Sequence, residues 1–123
     1  MILETINKEL QNIGVPYEFM RWTEPVDGAY FVGELSEMPI ATEDGQKEST
    51  LLLTGTTGGT WSELEQHRAT IESHFDPIHG LRVATKNGAV VIFYENSFPV
   101  PTGDANLKRI QINLRCKEWR NNT

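Results

Sequence analysis

The stretch with the most chemical promise is Thr54-Gly55-Thr56-Thr57-Gly58-Gly59-Thr60-Trp61. It follows the apolar run Leu51-Leu52-Leu53 and leads into Ser62-Glu63-Leu64-Glu65, where a helical pattern begins. Strand, glycine-rich turn and helix form the layout that holds phosphate, because free N–H groups at a helix start point at the anion. A phosphate loop of the Walker type also needs a lysine after its last glycine, then Ser or Thr for magnesium. Here Thr60 and Trp61 follow Gly59, so the lysine is missing. The dinucleotide pattern fails as well, because Gly55, Gly58 and Gly59 do not fit its spacing. A plainer reading has its own mechanism. Thr60 with Glu63, or Ser62 with Glu65, makes a capping box, in which hydroxyl and carboxylate each satisfy a free backbone N–H. An anion at the Gly58-Gly59 helix start is the competing reading, and the nearby acids oppose it.

The remaining chemistry-bearing residues make no constellation. His67 and His74 lie seven apart on one helix, two turns from each other, too far to share one ion. Glu63 and His67 are spaced to pair across one turn. With His79, these histidines read as surface residues, and no metal is expected. Cys116 alternates with Ile112 and Leu114 in a strand pattern, the setting of a small core residue. As the single cysteine it excludes an internal disulfide and a multi-cysteine zinc site. No enzyme signature, catalytic residue or cofactor follows from these residues.

The elements that would position any site can be read from periodicity. Ile2, Leu3, Ile6, Leu10 and Ile13 predict an amphipathic helix over residues 2–13, stopped by Gly14 and Pro16. Residues 17–22 and 30–35 read as strands, separated by the turn residues Glu24-Pro25-Val26-Asp27-Gly28. A third strand covers residues 48–55. Trp61, Leu64, Arg68, Ile71 and Phe75 set out a second helix, closed by Pro77 and Gly80. Residues 81–86 and 89–94 flank Asn87-Gly88, a strong hairpin signal. Residues 107–119 form a last strand, with Ile110, Ile112, Leu114 and Cys116 on one side. Arg109, Gln111, Asn113, Arg115 and Lys117 occupy the other. The order α-β-β-β-α-β-β-β predicts an α+β fold: a mostly antiparallel or mixed sheet of five to six strands with two helices on one face.

Two connections are long for a compact domain, residues 39–47 and 96–106. Pro99 and Pro101 stiffen the second, and Phe98 is its candidate apolar anchor. A preorganised loop loses less entropy on association.

The bulk figures agree with a single domain over residues 1–123. No apolar run approaches the roughly 18 residues that cross a bilayer, and the first residues lack the form of a signal peptide. Residence in the cytoplasm is the expectation. The net charge of −6 argues against general binding to a nucleic-acid backbone.

Three stretches carry a resemblance: VPYEFMRWTEPVDGAYFVGEL, TEDGQKESTLLLTGTTGGTWSELE and NSFPVPTGDANLKRIQINLRCKEW. Together they resemble the tail-completion or tail-terminator proteins of tailed phages and prophages of Gram-positive bacteria. The resemblance spans residues 15–119 and rests on overall pattern. It implies a small α+β structural protein that forms a homo-oligomeric ring, typically a hexamer, on the end of the tail tube. Such a ring would stop tube growth and meet the head-tail connector, with DNA passing through its lumen. It implies assembly in the host cytoplasm and residence in the virion tail or neck. Another neck or head-tail joining protein of the same phage module would carry a similar pattern. A phage protein that binds a host factor is a third reading. For the ring, interface residues are expected in the two long connections and on the basic strand face: Glu43, Asp44, Lys47, Phe98, Pro99, Pro101, Asp104, Arg109 and Arg115.

Overall fold

The computed structural model describes residues 2–37 and 46–120. Two helices and six strands follow in the predicted order. They are α1 (Ile2–Asn12), β1 (Tyr17–Phe19), β2 (Tyr30–Glu37), β3 (Gln46–Thr57), α2 (Trp61–His74), β4 (Leu81–Thr85), β5 (Gly88–Val100) and β6 (Lys108–Arg120). The strands form one sheet in the order β1-β2-β3-β6-β5-β4. Every pairing is antiparallel except β1 with β2, so the sheet is mixed.

The parallel pair comes from the turn residues after β1. Met20 takes a left-handed backbone (φ 68), and its N–H donates to Gly33 O at 2.8 Å. The chain then swings across and re-enters beside its own start, where Phe31 N donates to Pro16 O at 2.8 Å. This ends β1 at Phe19, short of the expected Trp22. Trp22 instead packs on Tyr30, with ring centroids 5.3 Å apart.

Both helices lie on one face of the sheet. Ile6 and Leu10 of α1 join Leu64 and Ile71 of α2, with Phe31, Leu51, Leu53, Ile92, Ile112 and Leu114 beneath them, all fully buried. Burial of each such side chain contributes about 1.5–3 kcal/mol relative to exposure. One contact in this layer depends on a missing Cβ. The Phe31 ring packs directly against Gly55, and a Cβ there would come within 2.3 Å of it. The two helices are joined at their edges by His74 Nε2 and Glu9 Oε1, 2.8 Å apart.

The helical stripe read from α2 needs two corrections. Trp61 is 47% exposed and outside the core. Arg68 holds its place on the stripe through polar contacts, with Glu65, with Glu72 at 3.0 Å and with Tyr94 Oη at 3.5 Å. The end of α2 is tied down where Phe75 O accepts from Tyr94 N at 2.8 Å. Asp76 then accepts from Ile78 N and His79 N at 2.7 and 2.9 Å, forming the turn into β4.

The largest departure from the sequence reading is β5. It continues through Val100, six residues past the expected end. The first five residues of the segment read as a loop are strand, paired with β6 from Asn96↔Asn113 to Val100↔Arg109. Pro99 fits because this stretch lies at the sheet edge beyond β4, where a missing N–H breaks no ladder. A β-bulge at Glu95 separates the two halves of β5.

Candidate functional site

The glycine-rich turn is a helix entry, and its anion is internal. Thr60 is the N-cap of α2, and its Oγ1 accepts from Glu63 N at 3.3 Å. The reciprocal arm of the expected box goes elsewhere. Glu63 Oε1 accepts from Ala29 N at 2.6 Å, and Glu63 Oε2 accepts from Thr57 Oγ1 at 2.9 Å. The carboxylate fills the space beside the turn, since a Cβ on Gly59 would meet it at 2.6 Å. The second possible box is absent, because Glu65 pairs with Arg68. Arg68 holds the Glu65 carboxyl below its usual range. The Glu63–His67 pair does not form either: His67 packs edge-on against Phe31, with centroids 5.5 Å apart.

The other candidates for chemistry are structural. Cys116 is 1% exposed, and burial pushes its thiol up to about 12, so it holds its proton and acts as a core residue. His67 and His74 are half-buried rather than fully on the surface. Among the described residues, no group of three or more His, Cys, Asp or Glu is placed to hold a metal.

The expected interface residues fall into three places. Glu43 and Asp44, with residues 39–45, lie outside the described residues. Lys47 belongs to β3, where its Nζ pairs with Glu37 Oε2 at 3.2 Å. Pro101 and Asp104 belong to the connection between β5 and β6, which is held by its own polar groups. Thr102 Oγ1 lies 2.9 Å from Leu107 O, and Asp104 Oδ1 accepts from Asn106 N at 2.9 Å.

Phe98, Arg109 and Arg115 share the sheet face opposite the helices. On β6 this is the alternate set Arg109, Gln111, Asn113, Arg115, Lys117 and Trp119. The register sets these residues beside Thr56, Thr54, Leu52, Thr50 and Glu48 of β3. Across β5 they meet Val100, Phe98, Asn96, Phe93 and Val91. Among the described residues, no helix covers this side. A polar ladder runs across it. Thr54 Oγ1 donates to Gln111 Oε1 at 3.0 Å, Gln111 Nε2 to Asn113 Oδ1 at 3.2 Å, and Asn113 Nδ2 to Asn96 Oδ1 at 2.8 Å. At one end Arg109 Nε donates to Thr56 Oγ1 at 3.3 Å. At the other, the Arg115 guanidinium stacks 5.0 Å from the Phe93 centroid and Lys117 reaches Glu48 at 3.7 Å. Phe98 stands out of the ladder, 49% exposed, so it is an outward contact rather than a buried anchor. Pro99 points to the other side of the sheet, across from Ile110.

Phe93, Asn96 and Trp119 also belong to this face, and sequence reasoning missed them. The alternation on β6 marked its own polar side. It could not name neighbours on β5 and β3, because those depend on register.

The surface is therefore broad and mixed in polarity, and its side chains are held by their own hydrogen bonds.

No family model and no curated protein matches the chain. Solved structures do match. One chain, known only by a sequence identifier, superposes with a TM-score of 0.71 at 19% identity, covering 95% of this chain and 92% of that one. A chain from the virion of a native gene transfer agent particle superposes with a TM-score of 0.59 at 11% identity, covering 89% of this chain and 83% of that one. The chain thus has a fold that occurs in a virion structure.

Proposed function

We propose that this chain is a structural protein of a tailed phage or phage-like particle, and that it completes the tail. In this reading, copies form a ring, typically sixfold, on the end of the tail tube, and the ring meets the head-tail connector. The observation that carries it is the likeness of nearly the whole chain to a virion component. The tail-terminator resemblance in the sequence points the same way. An uncovered sheet face with a fixed polar ladder supports the reading, because ring subunits need large protein-facing surfaces. The ring requires no chemistry, which fits a site built of contacts. DNA would pass through the lumen without sequence-specific contacts, and an acidic chain favours passage over retention. Assembly would take place in the host cytoplasm, and the finished protein would reside in the virion tail or neck.

The competing anion-site reading is weakened by Glu63, whose carboxylate already takes the donors beside Gly59. The test is to mix purified protein with tail tubes that lack their terminator and image them by negative-stain electron microscopy. Rings with a central pore on the tube ends are expected, together with tubes of fixed length. Bare ends and unlimited growth at saturating protein would overturn the proposal.

A further inference from the structure

Charge is divided unevenly along this chain. The first 80 residues hold fourteen acids and four Lys or Arg, while the remaining 43 hold seven Lys or Arg and three acids. The sheet turns that sequence asymmetry into a spatial one. Strands β1, β2 and β3 come from the acidic part, and β6, β5 and β4 from the basic part. Most basic residues of the last part lie on β6, in the middle of the sheet, so the contrast at the edges themselves rests on exposed Glu34 of β2 at one and exposed Arg82 and Lys86 beside β4 at the other.

The two edges are also open. On the acidic side β1 covers only Phe31 to Gly33 of β2, so Glu34–Glu37 has β3 on one side and no strand on the other among the described residues. Exposed Glu34 carries charge on this segment, and exposed Glu24 and Asp27 lie with exposed Arg21 in the connection between β1 and β2. On the basic side β4 is the last strand, and Arg82 and Lys86 are exposed there. Among the described residues, none of these side chains has an ion-pair partner within the chain. Glu34 and Arg82 point to the same face: Glu34 lies beside Leu52, and Arg82 lies beside Val91, which faces Lys117.

We infer that the occupant of each edge is a second copy of this chain, joined head to tail. The Arg82–Lys86 edge of one subunit meets the Glu24, Asp27 and Glu34 edge of the next. Two unlike patches on one subunit make a heterologous contact, which closes into a ring when the rotation per subunit allows it. Opposed charges set the register, while like edges repel, so the subunits cannot join back to back. The inference deepens the ring proposed above and rests on it for closure.

The test uses two charge-reversed chains, R82E/K86E and E24K/D27K/E34K, with folding checked by circular dichroism and melting temperature. All substituted residues are exposed, so both variants should fold. Mass is measured by sedimentation and native mass spectrometry at high protein concentration and low salt. Wild-type protein should assemble, and raising salt, which shortens the screening length to about 3 Å near 1 M, should weaken assembly. Each variant alone should associate about tenfold more weakly or worse, since both of its edges then carry one sign. An equimolar mixture should recover assembly with alternating subunits, because an all-acidic chain meets an all-basic one. Variants that assemble like wild type, or a mixture that recovers nothing, would overturn the inference and leave the ring standing. Wild-type protein that stays monomeric in solution would overturn the edge pairing. If it also fails to cap tail tubes, the ring reading falls with it.

Discussion

Strand β6 passes between two unlike environments. Ile110, Ile112, Leu114 and Cys116 lie under the helices and are buried to 6% exposure or less. Their alternate neighbours Arg109, Gln111, Asn113 and Arg115 are half-buried among polar and aromatic partners, with no helix above them among the described residues. One side of the strand holds the chain together by excluding water. The other is fixed by hydrogen bonds and cation–π contact, and it remains available. A strand can thus serve stability and recognition at once, divided residue by residue.

The strongest way to break this comparison is substitution on β6 itself. Ile112→Ala should destabilise by about 2–5 kcal/mol, the usual range for a buried large-to-small change. Gln111→Ala, one residue away, should cost under about 1 kcal/mol, since it removes only partly exposed hydrogen bonds. Urea unfolding of both variants checks the contrast, and equal losses would erase it.

Next in size is the helix entry. Glu63→Ala removes the acceptor for Ala29 N and Thr57 Oγ1, and should cost about 1–3 kcal/mol. The same variant opens the space beside Gly59. If phosphate then raises the melting temperature of the variant but not of the wild type, the carboxylate is indeed standing where an anion would.

The covered face should also reveal itself at high pH. Burial pushes the Tyr17 phenol up to about 12, and Cys116 likewise to about 12. Both groups ionise more readily once unfolded, near their ordinary values of 10.0 and 9.0. Their contribution is complete below those unfolded values and is lost as pH rises through about 12. The denaturation midpoint should fall between pH 9 and 12 from these two groups, and Tyr17→Phe should make that fall shallower.

The smallest stability effect is expected on the open face. Phe98→Ser should change stability by no more than about 0.5 kcal/mol, because the ring is half exposed. It should nevertheless lower capping of tail tubes. Normal capping by this variant would remove Phe98 from the contact surface.

The element order was legible because each helix and strand carries its own period. The stripe of Ile6 and Leu10, the alternation from Arg109 to Lys117 and the Asn87-Gly88 turn are local signals. Three features were not local. Proline reads as a loop former unless the strand is known to be an edge, so the outer half of β5 was hidden. The return of β2 beside β1 depends on Met20 adopting a left-handed backbone, an unusual choice for methionine. Glu63 looked like half of a capping box because its two partners, Ala29 and Thr57, come from elements that only the fold brings to it. The contact face was half legible: its basic residues were marked by alternation, and Phe93, Asn96 and Trp119 joined it only through register.

The bulge at Glu95 acts as a phase shift in the wiring of the hairpin. Before it, odd-numbered residues such as Val91 and Phe93 belong to the open face; after it, even-numbered residues such as Asn96 and Phe98 do. The parity of the outer hairpin is thus set by one inserted residue, independently of the core half. Excising Glu95 would let Asn96 follow Tyr94 directly, so plain alternation would keep Phe98 on the open face and Ser97 on the helix side, with the bulge gone. A lineage carrying this fold could therefore lose that one codon and straighten the arm, while Phe98 stayed on the open face and Val90, Ile92 and Tyr94 went on facing the helices.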